Sequence, residues 1–183
     1  MDLRVQKTKN AITNAFLELR AVKPLNKISI TELSKKAVIS KATFYLHYKD
    51  VYDLSEQLQN ELISDIIKAI PHPEMMIAEP QRYTSNMLMA FLSKQALIDI
   101  LFSHSENNTL PNRIEYYIKD AVYTHYPQLK DNIKVDMALT YMIQGGFYAY
   151  AHFAKGNFRE VQNFISSISK IVVDNALPNS VTE

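Results

Sequence analysis

The chain has no cysteine, which removes disulfides, thiolate metal sites and cysteine nucleophiles at once. Glycine is nearly as scarce, at three residues in 183. That argues against a turn-rich sheet protein and against any glycine loop cradling a phosphate. No apolar run approaches the roughly 20 residues a helix needs to cross a bilayer. The opening MDLRVQKTKN has no apolar core of the kind a secretory signal requires. A cytoplasmic protein without membrane contact is expected. No Ser/His/Asp order, paired-carboxylate setting or cluster of metal-ligating residues stands out, so neither an enzyme nor a metal or cofactor protein is expected.

Net charge is also low, at +1, but it is unevenly spread. Residues 1–49 hold ten Lys/Arg against Asp2, Glu18 and Glu32, a balance of +7, while the remainder balances at −6. The positive end would favour a polyanion, although a solvated basic face produces the same bias.

What is present is helical periodicity. Ile12, Ala15, Phe16 and Leu19 recur on one face of a segment predicted over 3–22, and Lys23-Pro24 disfavours its continuation. Ser29 and Glu32 fit a capping box for a short helix over 30–37. Val38-Ile39 makes a turn, Ser40 caps a helix over 41–48, and Asp50 with Asp53 starts another over 51–70. The prolines of PHPEMMIAEP mark a boundary. Further helices are predicted over 82–94, 96–103, 110–125, 132–155 and 158–176. Nothing alternates as a strand would. The expectation is an all-α fold of about nine helices: a three-helix helix-turn-helix domain over 1–50, a connecting helix over 51–71, and a helical domain over 72–183.

Two short helices joined by a tight turn match the shape of a DNA reader, because an α-helix fits the major groove with its N-terminal residues nearest the base edges. On the second of these helices Phe44 and Tyr48 would face inward. Lys41, Ala42, Thr43, Tyr45, Leu46 and His47 remain for the groove. Lys41 can donate to guanine or to a phosphate, and Ala42 and Thr43 can offer methyl contact to thymine. Tyr45 and His47 can donate to phosphates, which orient the helix without reading sequence. Ser29, Thr31, Ser40 and Lys49 complete the candidate set. The helix starts at Ile30 and Val51 are expected to present backbone N–H groups to phosphates.

The string SITELSKKAVISKATFYLHYKDVYDL resembles the signature of TetR/AcrR-type transcriptional regulators. Ala37, Ser40, Thr43, Tyr45, His47 and Leu54 match it position by position, over roughly residues 5–55. The chain departs from that pattern at three places. Val38 stands at the turn glycine, which implies strain or altered turn geometry. Tyr48 stands where phenylalanine is usual. Val51 replaces a phosphate-meeting lysine, with Lys49 as a possible substitute. The resemblance implies a homodimer on a palindromic double-stranded operator, usually a repressor, with a small-molecule effector and a dimer interface in the larger half.

The residues of that half support a modest version. Eight tyrosines and six phenylalanines lie beyond residue 70, with six of the seven methionines; such side chains line adaptable pockets but also fill ordinary cores. Met87, Phe91, Tyr117, Tyr141, Gln144, Tyr148 and His152 are candidate pocket residues, and Asp120, Asp136 and Arg113 are nearby charges. DMALTYMIQGGFYAYAHFAKGNF is apolar almost all round. Gly145-Gly146 inside it costs roughly 1 kcal/mol per glycine against alanine, which suggests close helix approach or a kink. With the apolar face of 158–176 it suits a four-helix interface containing Gly145, Phe153, Phe164, Ile168 and Val172; an internal hairpin in a monomer is the alternative. A helix-turn-helix protein that organises chromosomes, activates, or answers to a protein partner fits the same sequence.

Overall fold

A computed structural model of the chain describes residues 3–70, 72, 75–102 and 109–176. Among the described residues there are ten α-helices and no strand, so the fold is all-α. They are α1 Leu3–Arg20, α2 Ile30–Lys36, α3 Lys41–Tyr45, α4 Val51–Lys68, α5 Met75–Ala78, α6 Pro80–Ser93, α7 Gln95–Phe102, α8 Thr109–His125, α9 Ile133–Phe153 and α10 Phe158–Ala176. Single 3-10 turns stand at Leu25–Lys27 and Pro127–Leu129. The helix beyond the expected nine is α5, one turn inside the stretch expected to mark a boundary. Met76 and Ile77 are buried there, and that burial outweighs the flanking prolines.

The chain divides into two compact units, one of Met1–Leu62 with Gln95–Glu106 and one of Ile63–Lys94 with Asn107–Glu183. Two boundaries therefore differ from expectation. The division falls inside α4, and α7 belongs to the first unit although its sequence position suggested the second. The reason is tertiary packing. Ile98 and Leu101 of α7 are buried, α7 packs on α1, and the Leu101 carbonyl accepts a 2.9 Å bond from Gln59 Nε2.

In the first unit the apolar stripe of α1 is buried as its spacing requires, with Ile12, Ala15, Phe16 and Leu19 inward. Leu33, Phe44, Tyr48 and Leu54 complete that core. In the second unit α10 packs on α6 and α9, and α8 on α9. Gly146 permits the α9–α10 contact: a Cβ there would stand 3.3 Å from Ile165 Cγ2. Gly145 differs, since a Cβ there would meet nothing within 4 Å.

The buried face of α10 carries Ile165, Ser166, Ser169 and Val173, whereas Phe164 and Ile171 are exposed. Two serines thus share the buried face with Ile165 and Val173, while two large apolar groups stay in solvent.

Candidate functional site

Three helix starts in the first unit are built by their own side chains. Ser29 Oγ accepts the Glu32 N–H at 3.2 Å, as the capping box requires. Glu32 does not return the bond; its carboxylate takes Lys23 Nζ at 2.6 Å instead, because a charged donor outcompetes an amide. Ser40 Oγ accepts the Thr43 N–H at 3.0 Å and lies 2.8 Å from Thr43 Oγ1. Asp50 Oδ1 accepts the N–H groups of Tyr52 and Asp53 at 2.8 Å each, while Asp53 Oδ2 accepts the Lys49 N–H at 2.8 Å. Hydrogen bonds from Gln57 and from the Lys49 amide hold the Asp53 carboxyl below its usual range. The start of α4 thus carries its own anions, and the expected offer of amides to a phosphate there is not met.

The α2–α3 connection is closed by two bonds. Ile39 N–H reaches the Ser34 carbonyl at 3.0 Å, and Val38 N–H reaches that of Lys35 at 3.3 Å. This is the Schellman arrangement, which requires a left-handed residue at the position Val38 occupies. Val38 adopts it, with φ of 56°, while its side chain is 89% exposed. Of the two possibilities left open by the missing glycine, the turn keeps glycine geometry and the strain is real.

α3 is shorter than expected, ending at Tyr45 rather than 48, with His47 and Tyr48 in the following turn. Phe44 is the buried anchor, its ring 5.7 Å from that of Tyr48. Tyr48 is buried, so tyrosine fills the position where phenylalanine is usual as part of the core. Around this anchor Ser29, Thr31, Ser40, Lys41, Ala42, Tyr45, Leu46 and Lys49 are exposed, and Thr43 and His47 half-buried. Lys41 has no acidic partner among the described residues, whereas Lys23 and Lys36 are paired with Glu32 and Glu18 at 2.6 Å. Val51, the first residue of α4, is buried, so that position serves the core and Lys49 is the exposed cation nearest to it in sequence.

The second unit holds a cavity lined by Met76, Thr84, Met87, Leu88, Phe91, Ile114, Met142, Ile143, Gly146, Phe147, Tyr150, Ile165 and Ser169. Of the pocket residues expected from sequence, Met87 and Phe91 line it and the other five do not. Tyr117, Tyr141, Tyr148 and His152 are exposed. Gln144 turns toward α8, donating to Glu115 Oε2 at 2.7 Å and Asn112 Oδ1 at 2.9 Å. α9 is apolar almost all round, so periodicity could not tell which of its tyrosines faced inward; Tyr150 does. Thr84 and Ser169, 85 residues apart and joined by a 3.0 Å hydrogen bond, left no local signal at all.

The expected interface residues lie together on the outside of this unit. Gly145, Phe164 and Ile168 line one groove of about 250 Å3 with Tyr141 and Ala149. Phe153 and Phe164 share an adjoining one with Ala149 and Val161. Val172, half-buried, lies one turn beyond Ile168. Asp136 is paired with Lys119 at 2.8 Å, and none of Asp120, Asp136 and Arg113 lines the cavity.

No protein-family model matches the chain. It is similar to an uncharacterized HTH-type transcriptional regulator, YxbF, of Bacillus subtilis (strain 168), with 26% identity over 143 residues. The match covers 69% of this chain but 38% of that protein. No helix among the described residues is long and apolar enough to cross a membrane, and among them no group of three or more His, Asp or Glu is placed to hold a metal ion.

Proposed function

We propose that the protein is a sequence-specific DNA-binding transcriptional regulator of the TetR/AcrR type. It acts as a homodimer on a palindromic operator, which it represses until a small-molecule effector enters the second unit. The observation that carries DNA binding is the capped α3, anchored by buried Phe44 and presenting an unpaired Lys41 beside exposed Ala42, Tyr45 and Leu46. The similarity to a protein named as an HTH-type regulator supports the same reading. Five helical residues touch few base pairs, so a two-fold pair of such helices, about 34 Å apart, is needed to read a useful site. Selection of bound duplexes from a random library tests this directly: recovery of an inverted repeat is expected, and recovery of no preferred sequence would remove the proposal. Lys41→Ala and Tyr45→Ala should each weaken binding to the selected duplex about fivefold while leaving the circular dichroism spectrum unchanged. Undiminished affinity in a gel shift would take these residues out of the interface.

The dimer would form through α9 and α10. Phe164 and Ile171, exposed on a helix whose opposite face is already buried, support a second apolar face awaiting cover. Gly145 points the same way, since intramolecular packing gives no reason for a glycine there. Gly145→Ala should therefore act with opposite signs at two levels. A separated chain gains up to about 1 kcal/mol of helix propensity, whereas the dimer, losing its close approach, dissociates at higher concentration. Sedimentation equilibrium reads the second effect, and an unchanged dissociation constant would exclude Gly145 from the contact.

A further inference from the structure

The cavity of the second unit has a polarity that constrains its ligand. None of the residues lining it is Asp, Glu, Lys, Arg or His. Its lining carries the hydroxyls of Thr84, Ser169 and Tyr150, all three residues buried, and Thr84 with Ser169 forms its polar corner. Thr84 Oγ1 donates to Ser169 Oγ at 3.0 Å, and Ser169 Oγ donates to the Ile165 carbonyl at 3.0 Å. Each hydroxyl has one proton and two lone pairs. Both protons are spent, so what the corner can still offer is acceptors. A carbonyl or carboxylate would find lone pairs facing lone pairs, and any ion would be stripped of water with no counter-charge. About 40 Å3 of the cavity admits a water-sized sphere, and Met76, Met87 and Met142 in its wall are unbranched side chains able to shift and make room.

We infer that this cavity binds a small, uncharged, predominantly apolar molecule carrying one hydroxyl donor, with the donor received by Thr84. The inference rests on the second unit being the effector-binding half. Four probes isolate the chemistry: phenol, its methyl ether anisole, benzoate and benzylammonium, each titrated calorimetrically into the full-length protein. Phenol should bind about fivefold more tightly than anisole, the ratio expected for one net hydrogen bond, and both ions should bind far more weakly than either. Thr84→Val keeps the side-chain shape and should bring phenol down to the affinity of anisole. Ser169→Ala, which leaves Thr84 a free proton, should narrow the ratio from the other side. Equal affinities for phenol and anisole in the unaltered protein, binding of benzoate or benzylammonium as tight as phenol, or a ratio unmoved by Thr84→Val would each overturn it. A charged compound that releases the protein from its selected duplex would defeat this inference and leave the regulator reading standing, whereas failure to select any duplex defeats that reading independently.

Discussion

Replacing Lys119 with methionine should destabilise the second unit by about 2–3 kcal/mol and invert its response to acid. Lys119 Nζ lies 2.8 Å from both Glu115 Oε1 and Asp136 Oδ1 and donates to Thr140 Oγ1 at 2.7 Å. The Thr140 hydroxyl passes its own proton to Glu115 at 2.6 Å, and Tyr123 donates to Asp136 Oδ1 at 2.8 Å. One ammonium thus joins two carboxylates from α8 and α9. Its side chain and that of Glu115 are mostly buried, while Asp136 is half exposed. Removing the cation leaves two carboxylates converging on an apolar end, a loss of about 3–5 kcal/mol when fully buried. Solvent at Asp136 brings the expectation down.

The pH dependence follows from the directions of the shifts. Burial alone would raise the Glu115 carboxyl, but bonds from Lys119, Thr140 and Gln144 outweigh it and hold the group below its usual 4.5. Bonds from Lys119 and Tyr123 likewise hold Asp136 below 3.8. Carboxyls depressed in the folded state add stability at pH above those ordinary values and lose it as pH falls through the depressed ones. The unaltered protein should therefore weaken on acidification below about pH 4.5. At the alkaline end burial works on Lys119 and Tyr123 in opposite directions. It opposes the rise of Lys119, which bonds to Asp136 and Glu115 nonetheless lift above 10.5, and it reinforces that of Tyr123 above 10.0. Both contribute fully below those values and lose the contribution as pH rises through the raised ones. In Lys119→Met the two carboxyls repel each other and titrate higher, so stability should increase between pH 7 and pH 4. Hydrogen-exchange mass spectrometry of α8 and α9 peptides at the two pH values reads this unit; protection that falls with acid in the variant, as in the parent, would refute the network's role.

How far the molecule was legible in its sequence depends on how far apart the cooperating residues stand. The caps at Ser29, Ser40 and Asp50 were readable because a cap and its amide lie within three residues. α10 was predicted to its last residue, but the burial of its face was not. Periodicity marks an apolar stripe of Val161, Phe164, Ile165, Ile168 and Val172, yet the helix buries Ile165 together with Ser169 and leaves Phe164 exposed. A stripe shows that something will cover it without showing whether the chain itself does. The same limit hid the cavity, where Tyr150 was indistinguishable from Tyr141 and Tyr148 on an apolar helix, and where Thr84 and Ser169 meet only through tertiary packing. The return of Gln95–Phe102 to the first unit is a matter of topology, to which local pattern is blind.

Val38→Gly should stabilise the first unit by about 1–2 kcal/mol, an unusual outcome for adding a glycine. A β-branched residue in the left-handed region costs about 1–3 kcal/mol, because its Cβ substituents crowd the backbone on both sides. Burial could repay this, but Val38 is 89% exposed. Glycine would adopt the same φ of 56° without strain, offset by up to about 1 kcal/mol for the greater freedom it regains on unfolding. The turn itself is already fixed by the Ile39–Ser34 and Val38–Lys35 bonds, so the direction of α3 should not change and affinity for the selected duplex should hold. Val38→Asn provides a second case, since asparagine tolerates the left-handed region and brings less unfolded-state freedom than glycine. Urea titrations of the three proteins give the comparison. A parent no less stable than both variants would mean that the left-handed turn carries no strain, while a loss of duplex binding in a stabilised Val38→Gly protein would show that the isopropyl group itself touches DNA.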